Sequence, residues 1–204
     1  MAKKVKKYKL ARRLGSEIFE KTQGQKFLLS EQRRAKNRTG RPRRLSDYGL
    51  SLIQKQKIRF AYGISEKQFS NLVKKAFASA KFGEAPADTL FKLLERRLDN
   101  VVYRTGIATT RSFARQLTTH GHITVNGKKI DIPSYSVKKG DVLSVREGSR
   151  SKKVFEDLEK RLSEQRAPAW LKIDPKKLSI EIIGEPKNPE PFFNFQAVIE
   201  FYSR

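Results

Sequence analysis

The sequence predicts an α+β fold: an extended basic N-terminal arm, a helical domain, and an inserted helix–helix–hairpin module with a small β-unit. Three observations predict this class. Residues 64–80 place apolar side chains at the 3.6-residue period of an amphipathic helix. Asn126-Gly127 stands between β-forming segments and favours a tight hairpin turn. Residues 1–60 contain 19 of the 45 Lys and Arg but only 4 of the 21 Asp and Glu, which favours an arm poor in core residues.

Composition narrows the class of partner. The chain has 204 residues and a formal net charge of +24, which suits one or two domains and points to a polyanion. Nucleic acid is the first candidate and an anionic membrane surface the second. No apolar run approaches the roughly 18 residues of a membrane span, and the N-terminus has no apolar signal-peptide core. We therefore expect a cytosolic chain that does not insert into a membrane.

Residue types also restrict the chemistry. The absence of cysteine excludes disulfides and thiolate metal sites, and two histidines are too few for a zinc site built from imidazoles. No nucleophile–base set and no Gly-rich phosphate loop followed by Lys-Ser or Lys-Thr is present. We expect no metal, no cofactor and no small-molecule substrate.

Residues 1–44 are predicted to be basic and irregular, because apolar residues nearly vanish after Ser30 and Gly40 and Pro42 interrupt any helix. Some helical character is predicted at 12–21, where Leu14, Ile18 and Phe19 share one side. The arm is either a solvated tail or an extension that is ordered by RNA phosphates, and its density of arginine favours the second. Such an arm would be dispensable for folding. Its candidate contacts are Lys9, Arg12, Arg13, Arg33, Arg34, Lys36, Arg41, Arg43 and Arg44.

Two helices are predicted next. Ser46 or Asp47 caps the first, and Gly63 ends it. Ser65 with Gln68 three residues later forms a capping box for the second. Polar and aromatic side chains on the first helix are further candidate RNA contacts: Tyr48, Lys55, Lys57 and Arg59.

The module at residues 88–147 is predicted to open with two helices. The first spans residues 89–104, with Asp88 as its N-cap. The second begins after Thr109 and ends near His120-Gly121, with Arg111 and Arg115 four residues apart on one face.

The hairpin at Asn126-Gly127 follows this second helix, and Val142 to Val145 forms a further strand after a turn at Gly140. A basic helix face beside a basic hairpin tip makes a concave anion site, whose natural ligand is a phosphate backbone. The candidate contacts of the module are Arg104, Arg111, Arg115, Gln116, His120, Asn126 and Lys128.

The remaining segments complete the predicted helical domain. A charged helix is predicted over residues 151–167, strands over 170–174 and 178–182, and an amphipathic helix at the C-terminal end. The predicted division is therefore an extension at 1–44, a helical domain at 45–87 plus 148–204, and the module at 88–147.

Two strings carry a family resemblance. The first, residues 111–117 with 120–128, resembles the small RNA-binding module named after small-subunit ribosomal protein four. The second, Leu94 to Arg104, resembles the bacterial family of small-subunit ribosomal protein four outside that module, as do Trp170-Leu171 and the ending at 200–204. Because the chain lacks cysteine, it resembles the cysteine-free form of this family.

The resemblance implies a structural constituent of the small ribosomal subunit that binds rRNA at a helix junction in the 5′ domain early in assembly. It also implies small-subunit protein five as a neighbour, a position along the mRNA entry channel, a contribution to translational accuracy, and a place in cytoplasmic ribosomes.

Two other classes of function were weighed. In pseudouridine synthases that carry the module, an Arg-Leu-Asp triplet supplies the catalytic aspartate, and Arg97-Leu98-Asp99 matches it. Here the triplet falls within a predicted helix and no stretch is left for a catalytic domain, so we expect Asp99 to pair with a nearby arginine and the chain not to be an enzyme. The third class is a nonspecific nucleic-acid condenser, which would show no preference among RNAs.

Overall fold

The computed structural model describes residues 6–37, 45–187 and 189–203. These residues fall into two compact units, one within residues 1–78 plus 189–204 and the other within residues 79–188. The α+β class is confirmed, since the chain combines helices with one small antiparallel sheet.

The helices are α1 (Lys7–Leu14), α2 (Gln25–Lys36), α3 (Asp47–Ala61), α4 (Glu66–Ser79), α5 (Pro86–Glu95), α6 (Leu98–Arg104), α7 (Arg111–Thr119), α8 (Glu147–Arg150), α9 (Leu158–Glu164) and α10 (Phe195–Ser203). The strands are β1 (Ile123–Val125), β2 (Lys128–Lys129), β3 (Val142–Val145), β4 (Leu171–Asp174) and β5 (Ser179–Ile182).

Local signals set the helix starts of the first unit. The Ser46 hydroxyl accepts from the Gly49 amide at 3.3 Å, which confirms it as the cap of α3. Ahead of α4, the Gln68 amide donates to the Ser65 hydroxyl at 3.2 Å, and the Gln68 side chain accepts from the Ser65 amide at 3.4 Å. The predicted capping box is therefore confirmed. Helix α10 packs along α3 and closes the unit, as its apolar pattern predicts.

The second unit is built on a five-stranded sheet in the order β2-β1-β3-β5-β4, with every neighbouring pair antiparallel. The Asn126-Gly127 turn is confirmed: both residues have positive φ, 51° and 78°. Helices α6, α7 and α9 cover the apolar side chains of the sheet. The fully buried members of this core include Leu98, Val101, Val102, Ile123, Leu143, Leu158 and Ile180.

The N-terminal segment differs from the predicted irregular arm. Over residues 6–37 it forms α1 and α2, joined by 3₁₀ turns at Ser16–Ile18 and Glu20–Thr22. Leu14 and Ile18 are 2% and 3% exposed, because α1 and the first 3₁₀ turn pack on α3. Leu14, Ile18 and Phe19, which the sequence places on one side of residues 12–21, are all buried. Because these side chains pack in the core of the first unit, we now expect removal of the segment to destabilise that unit.

The predicted helix over residues 89–104 is two helices, because the chain is extended at Arg97 (φ −68°, ψ 136°). The break allows the Leu98 amide to donate to the Tyr135 carbonyl at 2.8 Å. Asp88 does not cap the first of these helices, which begins earlier with Pro86 in its first turn. The helix is interrupted by hydrogen bonds to residues 133–135, which are distant in sequence. The apolar periodicity of residues 89–104 gives no indication of these bonds.

The segment after residue 147 divides between the two units. Strands β4 and β5 extend the sheet of the second unit through pairing of β5 with β3, whereas α10 lies in the first unit. The sequence-based division assigned this whole segment to the helical domain, and its boundaries stay a prediction. The predicted helix at 151–167 is also shorter: α9 covers only its second half, after a 3₁₀ turn at Lys153–Phe155.

Candidate RNA-binding site

Helix α7 is the centre of the candidate site. The Thr110 hydroxyl caps it by accepting from the Phe113 amide at 3.2 Å. Ala114 and Leu117 are buried and fix one side of the helix on the core. The opposite side carries Arg111, Arg115 and Gln116, and the helix has no acidic residue. Packing therefore aims a cationic face outward.

Arg111 is held in a defined orientation. Its Nε donates to the Asn100 side-chain oxygen at 3.0 Å, and its guanidinium lies over the Tyr103 ring at 4.4 Å from the centroid. Asn100 and Tyr103 are neutral groups, and together they fix the position and plane of the guanidinium. Both lie on α6, so the junction between α6 and α7 builds the site.

The hairpin adds a second cationic feature. Lys128 and Lys129 are exposed beyond the turn. Gly121, which follows α7 with φ 68°, lies against the Lys129 side chain: a Cβ added to this glycine would stand 2.1 Å from Lys129 Cε. The hairpin therefore meets the C-terminal end of α7, where a cation is favourable for the helix dipole.

Asn126 has its side-chain amide engaged within the protein. The amide donates to Asp141 at 2.8 Å, and its oxygen accepts from the Val142 amide at 2.9 Å. These bonds join the hairpin turn to the start of β3. The predicted RNA contact by Asn126 stays a prediction, and its established contacts are those that position the turn.

The two histidines have different environments. His120 is exposed, whereas His122 Nδ1 lies 2.9 Å from the Ser149 hydroxyl and its ring meets Phe155 edge-on. Burial, together with the positive charge of Lys152, lowers the pKa of His122. His122 is thus a structural histidine, and His120 is the one that solvent and ligands reach.

Several other predicted contacts are engaged in ion pairs. Arg104 Nε and Nη2 donate to the two carboxylate oxygens of Glu95, each at 2.9 Å, and Glu95 is only 1% exposed. Arg97 and Asp99 also form a buried pair, with Nη2 and Oδ2 2.7 Å apart. The prediction that Asp99 pairs with a nearby arginine is confirmed.

In the first unit, Glu66 gathers two of the predicted cations. Lys55 Nζ lies 2.6 Å from Glu66 and also over the Phe201 ring, and Arg59 lies 3.2 Å from the same carboxylate. Burial favours a raised pKa for Glu66, but hydrogen bonds from Lys55 and Tyr202 and the two positive charges outweigh it, so the pKa is lowered. Burial and Glu66 raise the pKa of Tyr202.

The other predicted contacts of this unit lie mostly in solvent. Tyr48 is 54% exposed and packs against Phe201, Arg12 pairs with Glu31 at 2.9 Å, and Lys57 is half-buried. The fully exposed cations are Lys9, Arg13, Arg33, Arg34 and Lys36. Arg41, Arg43 and Arg44 lie outside the described residues.

Sequence reasoning omitted some residues of the site. Lys129 was left out although it sits beside Lys128, and exposed Lys138 and Lys139 flank the turn that Asn126 joins through Asp141. The two consecutive lysines of the turn at 138–141 are visible in the sequence and mark a second basic turn beside the hairpin. Asn100 was also omitted, and no sequence pattern marks it, because its contact with Arg111 depends on how two helices pack.

Two further observations bound the chemistry. Across residues 6–37, 45–187 and 189–203, no group of three or more His, Asp or Glu side chains is placed to hold a metal ion. None of the helices in those ranges has the length and apolar character that a membrane crossing needs.

Comparison with known proteins gives matches along most of the chain. The S4 domain family matches residues 96–143, which contain α6, α7 and the hairpin, and the ribosomal protein S4/S9 N-terminal domain family matches residues 2–95. Fold and site therefore define a ribosomal RNA-binding protein built on an S4 domain.

Full-length relatives name the family. Proteins called small ribosomal subunit protein uS4 are 46% identical over 202 residues in Roseiflexus castenholzii, 45% over 205 in Hahella chejuensis and 39% over 207 in Borrelia turicatae. At least 96% of both chains is covered in each case. The chain belongs to the uS4 family of small ribosomal subunit proteins. This confirms the resemblance and the expectation of a structural, non-enzymatic protein that binds rRNA.

Proposed function

We propose that this chain is a primary rRNA-binding protein of the small subunit, which organises a helix junction in the 5′ domain during assembly. The observation that carries the proposal is the orientation of the Arg111 guanidinium by Asn100 and Tyr103 at the start of α7. A cation fixed before binding loses little rotamer freedom when it meets a phosphate, so it selects a particular backbone geometry. A shape-reading protein of this kind suits a folded junction better than a single strand.

The proposed contact surface has two parts. In the second unit it comprises α7 and the hairpin, with Arg115, Gln116, His120 and Lys128 beside Arg111. In the first unit it comprises the exposed cations of α1 and α2; Arg41, Arg43 and Arg44, which lie outside the described residues, are included for their charge alone. The net charge of +24 supplies the long-range attraction that brings the protein to RNA.

The finer roles follow from the family. We propose that the chain neighbours small-subunit protein five, borders the mRNA entry channel, influences decoding accuracy, and acts in cytoplasmic ribosomes. Family membership over nearly the full length supports them. Chemical crosslinking of native subunits tests the neighbour, and stop-codon read-through in cells carrying an Arg115→Gln variant tests accuracy.

The decisive experiment is binding of the full chain to a 5′-domain rRNA fragment at several salt concentrations. Each neutralised phosphate releases roughly 0.7–0.9 counterion, so affinity should fall steeply and log-linearly with salt. An affinity that is independent of salt would refute the phosphate-contact mechanism.

Competition with random-sequence RNA of equal length separates this function from nonspecific condensation. We expect the 5′-domain fragment to displace random RNA, because the proposed surface reads folded shape. Equal competition would instead favour the condenser. Co-sedimentation of the chain with small subunits in a cell extract provides an independent check of the ribosomal role.

A further inference from the structure

A polar cavity of about 500 Å³ lies in the second unit, between the C-terminal end of α6 and the segment that follows α9. Its lining includes Tyr103, Arg104, Thr109, Arg161 and Arg166. The volume falls within the range of about 300–1,000 Å³ that is typical of small-ligand sites. Tyr103, which lines the cavity, also contacts the Arg111 guanidinium of α7.

The three arginines of the lining are not equivalent. Arg104 is neutralised by its two bonds to Glu95. Arg161 donates to the carbonyls of Val154 at 2.8 Å and Ile107 at 3.4 Å, which fix the guanidinium without neutralising it. Within the described ranges no carboxylate lies at ion-pairing distance from Arg161. The wall therefore holds a fixed positive charge.

Arg166 supplies a second positive charge. It is exposed at the mouth of the cavity and forms no hydrogen bond or ion pair with any residue that the structure describes. Glu164 is the one acidic residue among the described lining residues. One fixed and one adaptable arginine thus outweigh a single exposed carboxylate.

One wall of the cavity forms where the Gln165 side chain packs closely against Gly106. This glycine has φ 79°, and a Cβ added to it would stand 3.1 Å from the Gln165 side chain. Gln165 in turn donates to the Arg104 carbonyl at 3.4 Å. The left-handed turn after α6 therefore fixes the segment that carries Arg166.

We propose that this cavity binds one phosphate group of the bound RNA, at a position separate from the α7 and hairpin surface. The inference rests on the proposed function, since it assigns a second anchoring point to the same RNA. Arginine matches a phosphate because its planar fork donates two parallel hydrogen bonds. A cavity of this size accommodates the phosphate with part of its nucleotide.

The first test uses Arg166→Gln in the full chain, with Lys160→Gln as the matched control. Lys160 is an exposed cation on α9 outside the cavity, so both variants lose one charge. We expect Arg166→Gln to weaken binding of the 5′-domain fragment roughly tenfold and to lower the salt slope by roughly 0.7–0.9. The control should stay close to wild type. Equal effects of the two variants would overturn the proposal, because general attraction would then explain both.

A second variant tests the cavity rather than the charge. Thr109→Trp fills the space beside Tyr103 and leaves every charge in place. We expect a loss of RNA affinity comparable to that of Arg166→Gln, with an unchanged far-UV circular dichroism spectrum. Unchanged affinity in this variant would show that the phosphate is not held within the cavity.

Titrations with inorganic phosphate and with adenosine monophosphate distinguish a free anion from the RNA backbone. Amide resonances of Gly106 and Gln165 are the readout. Shifts with either small probe in wild type, absent in Arg166→Gln, support an intrinsic phosphate site. Shifts with RNA alone support a site that recognises phosphate only within the polymer.

If no probe moves these resonances, the cavity proposal fails even when wild type binds rRNA normally. Failure of wild type to bind rRNA would instead refute the proposed function.

Discussion

The buried ion pairs of the second unit contrast with the exposed ion pairs of the first unit. In the second unit, Asp99 and Glu95 are buried and bind their arginines through two bonds each. In the first unit, the carboxylate side chains of Glu66 and Glu31 remain 51% and 33% exposed. Buried pairs fix the geometry of the chain, because breaking one leaves an uncompensated charge. Exposed pairs mainly adjust the local charge, since solvent screens them. Equal numbers of charges in a sequence therefore have unequal structural consequences.

The largest expected effect is on the buried pair. Asp99→Ala leaves Arg97 buried without its carboxylate and should lower the free energy of unfolding by about 3–5 kcal/mol. Asp131→Ala, which removes an exposed carboxylate of the same unit, is the control and should change the free energy of unfolding by less than about 0.5 kcal/mol. Urea unfolding followed by circular dichroism measures both. Similar losses in the two variants would remove the contrast between buried and exposed acids.

The N-terminal segment gives the next effect, because it contributes to the core of the first unit. Leu14→Ala should cost about 3 kcal/mol, as expected for a buried leucine replaced by alanine. Leu28→Ala is the control, since Leu28 is 44% exposed. Amide hydrogen exchange in α3 reports the stability of this unit.

The same segment should separate stability from RNA affinity. Arg33→Gln with Arg34→Gln should preserve α3 protection and weaken RNA binding, because both side chains are exposed. If Leu14→Ala leaves α3 protection unchanged, α1 is not part of the core and the segment is an RNA-ordered arm after all.

A smaller effect is expected for the cationic face of α7. Arg115→Gln should weaken 5′-domain binding roughly tenfold, or about 1.4 kcal/mol, while the fold stays intact. Lys176→Gln is the matched control, because Lys176 lies in the turn joining β4 and β5, at the sheet edge opposite the hairpin. Equal affinity for both variants would reject the assignment of this face to RNA.

Arg111→Lys refines the test by keeping the charge and removing the planar group that Asn100 and Tyr103 orient. A partial loss of affinity, smaller than that of Arg111→Ala, would show that orientation contributes beyond charge. Identical affinity to wild type would show that charge alone is sufficient.

The smallest effect is expected at Glu66. Its pKa is lowered from the ordinary value of 4.5, so the folded state favours the ionised form. The stabilisation is present above about pH 4.5 and is lost as the pH falls through the lowered pKa. Glu66→Gln should remove this pH dependence and cost only about 0.5 kcal/mol at neutral pH, because the pair is half-exposed. A cost as large as that of Asp99→Ala would contradict the comparison.

Local chemistry accounts for the parts of the fold that were predicted correctly. Ser46, the Ser65–Gln68 pair and Asn126-Gly127 act within a few residues of themselves, so their hydrogen bonds and backbone angles can be derived from the sequence. The break at Arg97 could not be derived, because it is stabilised by residues 133–137. In the N-terminal segment the sequence indicated helical character only at 12–21, and the helices at 7–14 and 25–36 were not predicted, because few apolar residues are spread among many charges.

Of the candidate site, the sequence identified the residue types and the helix that carries them. It could not show the environment of each cation: Arg104 and Arg111 look alike in the chain, yet Arg104 bonds to a buried glutamate whereas Arg111 bonds to Asn100 and lies over the Tyr103 ring.

The sequence by itself determined the basic character of the chain, its capped helices, its tight turn and its family. Tertiary structure alone decided which arginines are neutralised, which are pre-oriented, and where the cavity beside α6 lies. The physical reason is the separation along the chain of the residues that interact. Caps and turns depend on neighbours along the chain, whereas the environment of a charge depends on side chains that folding brings to it from distant positions.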